Sequence, residues 1–182
     1  MDYASIHIKR FNVIKSFFFD RDGVLIKNYG YFCNKNKIKW LKGAIEAIKI
    51  LNKKKIKVIM VTNQSGVARG YFTENELRNF HKTMVNQLSI KKAKIDKIYY
   101  CPFHPNAKIK KYKKNSKFRK PNNGMLISAI KKYKLRTREC FMIGDNISDY
   151  MCAKKSQIFF EYKKNYSLDK QILKILKKLN KF

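Results

Sequence analysis

Asp20 and Asp22 stand two residues apart, directly after the apolar run Phe17-Phe18-Phe19 and just before Gly23. Aspartate is a poor strand residue and costly to bury, so two carboxylates at the end of an apolar run need a partner or a use. A second pair, Asp145 and Asp149, follows another apolar run, Phe141-Met142-Ile143. These four are more than half of the seven Asp in the chain. Close carboxylates repel unless a cation joins them. Oxygen ligands that leave room for water suit Mg²⁺, and Mg²⁺ in turn suits a phosphate substrate. Other parts of a phosphate site are also present. Thr62 supplies a hydroxyl, Asn63 an amide, and Arg119 with Lys120 a pair of cations beside Pro121. A metal, fixed cations, hydroxyl and backbone donors and a carboxylate nucleophile together make a phosphate pocket.

These side chains act together only if the fold gathers them. Three aromatics in a row suit a strand buried on both faces, as in a parallel sheet. KVIMV at 57–61 reads as a second strand, and 95–100, 141–143 and 158–162 as three more. Ala44, Ile45, Ala47, Ile48 and Leu51 form a helical stripe whose Lys-rich end suits the helix dipole. Thr73 and Glu76 have the spacing of a capping box, opening a helix to about Leu88. Further helices are predicted over 124–133 and from Leu168 onward. Strands alternating with helices imply an α/β fold, a doubly wound parallel sheet, whose ligands gather at the carboxyl ends of the strands. Residues 1–12 read as an N-terminal extension, 13–182 as one domain, and 25–40 and 101–121 as loops. The second loop holds all three prolines, and a loop so long is usually functional or mobile.

The net charge is +31, from 36 Lys and 7 Arg against 12 acids. Nucleic-acid sites and phosphate forks favour Arg for bidentate contacts, whereas Lys acts as a point charge. The Lys are spread along the chain beside plentiful Ile, Asn, Tyr and Phe, which fits a coding bias as much as a polyanion site. Non-specific polyanion binding is expected either way. Four scattered cysteines without a CxxC suit a reduced, cytoplasmic chain. No apolar run is long enough for a membrane span. His7 and His81 carry no constellation; His81 reads as a surface or packing residue of a helix, and the lone Trp40 as core.

DRDGV at 20–24, TNQ at 62–64, RKP at 119–121 and GDNISD at 144–149 occur in that order, at strand ends. The set resembles the four motifs of the haloacid dehalogenase superfamily of phosphatases. The longer stretches TNQSGVARGYFT, YYCPFHP, RKPNNGML and MIGDNISD resemble its D,D-heptose 1,7-bisphosphate phosphatases, with the histidinol phosphatases close by. The resemblance runs from about Ser16 to Ala153 and implies roles residue by residue. Asp20 attacks phosphorus to form an aspartyl-phosphate, and Asp22 protonates the leaving oxygen and then activates water. Mg²⁺ sits between Asp20, the carbonyl of Asp22, and Asp145. Thr62 and Lys120 hold the phosphoryl oxygens, Asp149 orients Lys120 or a metal-bound water, and Asn63, Ser65, Arg69 and Arg119 bind the second phosphate or the sugar. The implied enzyme is a monomeric Mg²⁺-dependent phosphatase with no large cap domain, removing the 7-phosphate of a heptose bisphosphate bound for surface polysaccharide. A histidinol phosphatase and a polynucleotide 3′-phosphatase are the alternatives, the second suited by the charge.

The chain departs from its relatives in the loop before RKP. Many of them hold a structural zinc there with a CxH and a later CxC pair. Here the first pair reads Cys101-Pro102-Phe103, with His104 one position late, and the second reads Ser116-Lys117-Phe118. A tetrahedral zinc needs four ligands, so none is expected. The loop must then be held otherwise, by Phe103 against Phe118, or be mobile.

Overall fold

The computed structural model describes residues 14–179. The extension expected over 1–12, with His7, lies outside them. Five parallel strands form one sheet in the order β3-β2-β1-β4-β5. They are β1 (Ser16–Phe19), β2 (Lys57–Asn63), β3 (Lys97–Cys101), β4 (Cys140–Gly144) and β5 (Phe159–Tyr162). The helices are α1 (Ala44–Lys53), α2 (Gly66–Arg69), α3 (Glu74–Ile90), α4 (Gly124–Lys132), α5 (Ile147–Lys155) and α6 (Leu168–Leu179). The predicted strands and helices are all present within a few residues of their expected ends; the one-turn α2 and the helix α5 were not among them.

Side chains alternate across a strand, so β1 feeds two cores. Phe17 and Phe19 pack with Ile48 and Leu51 of α1, Phe80 and Met84 of α3, and Ile172 of α6. Phe18 points the other way, toward Met125 and Leu126 of α4 and Cys152 of α5. The run of aromatics is thereby explained, because a central strand covered on both faces has no polar side. Edge strand β5 is half open, and its residues are exposed or partly so.

Register sets the site. Phe19 lies level with Met60 of β2 and with Ile143 of β4. Asp20, Thr62, Asn63 and Asp145 therefore emerge along one edge of the sheet, on the central strands where the chain order reverses. The 25–40 segment is a loop as expected, with bridges from Ile26 to Asp22 and Trp40 and one 3₁₀ turn at Lys35–Lys37. Trp40 is only partly buried, packing against the first core while its indole N–H donates to Gln87 at 2.7 Å.

Candidate active site

A cleft of about 460 Å³ opens at the carboxyl edge of the sheet, walled among others by Asp20, Asp22, Ser65, Arg119, Lys120 and Asp145. Two glycines let its floor close up. Gly23 has φ +79°, and a Cβ there would lie 2.0 Å from Asp145 Oδ2. A side chain at Gly144 would meet the Cβ of Asp149 at 2.3 Å. Neither position tolerates a larger residue without moving a carboxylate.

Lys120 is the hub. Its buried ammonium pairs with Asp20 Oδ1 at 2.8 Å and Asp149 Oδ1 at 2.6 Å, and donates to the Val61 carbonyl at 3.0 Å. Burial opposes the charge, but Asp20 and Asp149 outweigh it and raise the Lys120 pKa. The backbone of Lys120 is clamped by Asn63, whose amide donates to the Lys120 carbonyl at 2.9 Å and accepts from its N–H at 3.0 Å. Asn63 lines the cleft, yet its side chain is spent on holding Lys120.

Asp149 is tied to its neighbours as well. Its Oδ2 accepts the N–H groups of Asp145 and Asn146 at 3.2 and 3.1 Å, closing a capping box on α5. With Oδ1 on Lys120, Asp149 positions its neighbours rather than offering free ligand atoms. Asp20, Asp145 and Asp149 bring carboxylate oxygens within 4.8 Å of one another, and among the described residues no other group of three acids, histidines or cysteines does so. The surrounding protein, then Asp20 and Asp149, push Asp145 up to about 6. One ammonium does not balance three carboxylates. A divalent cation with oxygen ligands would, so the donor set fits Mg²⁺. Cys33, Cys101 and His104 do not gather. Cys101 is buried, and His104 Nδ1 accepts from Asn106 N–H at 3.0 Å.

Asp22 rests on a buried network that sequence reasoning missed. The guanidinium of Arg21, which is 1% exposed, lies on the Phe80 ring at 4.9 Å and donates to Asp22 at 2.9–3.1 Å. It donates to Gln64 Oε1 at 2.9 Å and stands 3.2 Å from His81 Nε2. Burial and Arg21 depress His81 to about 3, so its neutral ring accepts that bond. His81 is thus a packing residue, as expected, but one with a constellation. Arg is scarce in this chain, and an Arg between two Asp was the available signal. Gln64 in turn donates to Asp22 Oδ2 at 3.0 Å and Thr62 Oγ1 at 2.9 Å. Thr62 is 1% exposed, under the cleft floor rather than in its wall. Burial raises the Asp22 pKa; Arg21 offsets part of this, and Asp20 adds to it.

Farther out the site is cationic. Ser65 and Arg119 line the cleft, as does Tyr31, whose ring carries the Arg69 guanidinium at 5.2 Å. Arg69 Nε and Arg119 Nη1 are buried and have no hydrogen-bond partner among the described residues. Burial, and in smaller part Arg69, lower the Arg119 pKa. Unpaired buried donors of like charge ask for an anion. In the preceding loop Phe103 and Phe118 both pack on the core beneath α4, and Tyr112 adds a further tie, its ring 6.0 Å from Phe103 and its hydroxyl donating to Glu74 at 2.8 Å.

Comparison with known proteins finds phosphatases. The model of the family described as polynucleotide kinase 3 phosphatase matches residues 15–180. The D-glycero-beta-D-manno-heptose-1,7-bisphosphate 7-phosphatase of Haemophilus influenzae is 40% identical over 135 residues, 74% of this chain and 73% of that one. The enzyme of the same name from Rhodopseudomonas palustris is 37% identical over 141 residues, 78% of each chain. The D,D-heptose 1,7-bisphosphate phosphatase of B. bronchiseptica, solved with magnesium and phosphate, superposes with a TM-score of 0.80, covering 91% of this chain and 99% of that one at 23% identity. At that identity the likeness carries the fold alone.

Proposed function

The chain belongs to the haloacid dehalogenase superfamily of phosphatases, in the family of the heptose bisphosphate 7-phosphatases, and from that premise we propose that it removes the 7-phosphate of a heptose 1,7-bisphosphate. The observation that carries the reading is the Lys120 ammonium between Asp20 and Asp149, under a cleft that also presents Asp22 and Asp145. Asp20 attacks phosphorus; the bond to the sugar oxygen breaks, and Asp22 gives that oxygen its proton. Asp22 then takes a proton from water, which attacks the aspartyl-phosphate, frees inorganic phosphate and restores Asp20. The raised Asp22 pKa suits a group that must start protonated. Lys120 neutralises the phosphoryl oxygens without reorganising, because Asn63, Asp149 and Val61 already fix it. Asp20, the Asp22 carbonyl and Asp145 would hold Mg²⁺, which when bound supplies further charge for those oxygens. Thr62 supports the floor through Gln64. Ser65, Arg69 and Arg119 receive the sugar and its second phosphate, and the two arginines' free donors favour a bisphosphate over a monophosphate.

A polynucleotide 3′-phosphatase is the second reading, favoured by the net charge of +31 and by the description of the matching family model. Phosphate release with Mg²⁺ from heptose 1,7-bisphosphate, histidinol phosphate and a 3′-phosphorylated oligonucleotide separates the readings. Asp20→Asn is the control. Fast turnover of the heptose, lost in the variant, is expected. Preference for the oligonucleotide, falling steeply with salt, would transfer the site to nucleic acid.

A further inference from the structure

The loop from Cys101 to Arg119 carries six Lys and one Arg and no acid. Left to itself such a segment repels itself and spreads. It is instead folded tightly beside the cleft. Lys108 and Ile109 donate their N–H groups to the Ala68 carbonyl of α2 at 3.0 and 3.1 Å. His104 N–H reaches the Tyr112 carbonyl at 3.1 Å, and Tyr112 is buried against Val67, Ala68 and Leu77. Among the described residues, the acid that accepts a side-chain hydrogen bond from this loop comes from outside it. Glu74, in the first turn of α3, accepts the Tyr112 hydroxyl on Oε2 and the Tyr100 hydroxyl on Oε1, each at 2.8 Å. Tyr100 belongs to β3, so one carboxylate ties helix, sheet and loop together. Its place at a helix N-terminus favours the negative charge. Burial, then Glu74, push the Tyr112 phenol up to about 12, so it remains a donor at neutral pH.

We infer that Glu74 is a positioning residue of the site: through Tyr112 and Tyr100 it fastens the 101–119 loop, and so sets Arg119 at the cleft. The fastening stands on its own; its effect on substrate rests on the reading of Arg119 as an anion-binding residue.

Tyr112→Phe and Glu74→Gln keep the packing volume and remove or weaken the clamp. Hydrogen exchange at the Lys108 and Ile109 amides should accelerate about tenfold in Tyr112→Phe, the worth of one hydrogen bond to a charged group. Amides of β1 and β4 should be unmoved. KM for the bisphosphate should rise severalfold while kcat on p-nitrophenyl phosphate, which has no second anion, stays put. Arg78→Ala, which removes the Glu74 ion pair at 3.4 Å but leaves both tyrosine bonds to Glu74 in place, should leave exchange unchanged. Wild-type loop exchange in both clamp variants, or equal acceleration in β1 and β4, would overturn the inference. Because exchange needs no substrate, a wrong substrate would leave this test intact.

Discussion

The two edges of the sheet treat carboxylates in opposite ways. At the amino edge Glu139 accepts the Arg136 N–H at 2.9 Å, the Arg136 guanidinium at 2.6 and 2.8 Å, and the Lys15 ammonium at 2.9 Å. The backbone N–H bond, against opposition from burial and with help from both cations, lowers Glu139 to about 2. Asp96 is likewise matched, by Val58 N–H at 2.9 Å and by Lys57 and Lys94 at 3.1 and 3.6 Å. At the carboxyl edge Asp20, Asp145 and Asp149 share a single ammonium, and Asp22, Asp145 and Asp149 all sit above their ordinary pKa. A protein with 36 Lys has no shortage of cations to place there. The carboxyl edge is therefore left short of positive charge, which costs stability and leaves room for a metal and a phosphate. At the amino edge Glu139 and Asp96 are matched by donors and hold the fold together.

If that contrast is right, substitutions at the two edges must separate activity from stability. The largest effect belongs to Asp20→Asn. Phosphate release should fall by at least about 10³-fold, as when a nucleophile is removed. Its melting temperature should equal or exceed the wild type's. Asp22→Asn follows, with a loss of about 10²–10⁴-fold on a sugar phosphate. The loss should be much smaller on p-nitrophenyl phosphate, whose leaving group needs no proton, and an equal loss on both would deny Asp22 the acid role. Glu139→Gln should do the reverse, leaving kcat intact and costing about 1–3 kcal/mol at neutral pH, the scale of a hydrogen-bonded charge. Glu139 is held near 2 against an ordinary 4.5, so its stabilisation is complete above about pH 4.5 and fades as pH falls toward 2. Denaturant curves of wild type and variant should converge over that interval. Lys94→Ala should be the smallest change, under about 0.5 kcal/mol, because the ammonium is 74% exposed and its pairing is screened.

The carboxyl-edge side of this contrast was legible in the sequence, and what was not has a physical reason. Asp20, Asp22, Asp145 and Asp149 stood out because carboxylates after apolar runs are rare and local. Lys120 was recognisable only inside RKP, since nothing in its own chemistry distinguishes one Lys of 36. The Arg21–His81 contact joins residues 60 apart, and Tyr112 meets Glu74 across 38. Periodicity and spacing report on neighbours along a helix or strand, so such bonds leave no pattern. The same holds for Asn63, whose amide promised a substrate contact and is instead occupied 57 residues away by Lys120. The parallel sheet followed from the alternation of strands with helices. The one-turn α2 did not, because four residues are too few to show a period.

The most direct test is thermal unfolding with and without millimolar Mg²⁺, for the wild type and for Asp145→Asn. The carboxyl edge as described predicts that Mg²⁺ raises the wild-type Tm in a saturable way, by linkage to the folded state. It predicts that Asp145→Asn without Mg²⁺ melts no lower than the wild type and gains little when the ion is added. A wild type indifferent to Mg²⁺, or a variant that melts lower and responds fully, would contradict the claim that these carboxylates are held together for a cation.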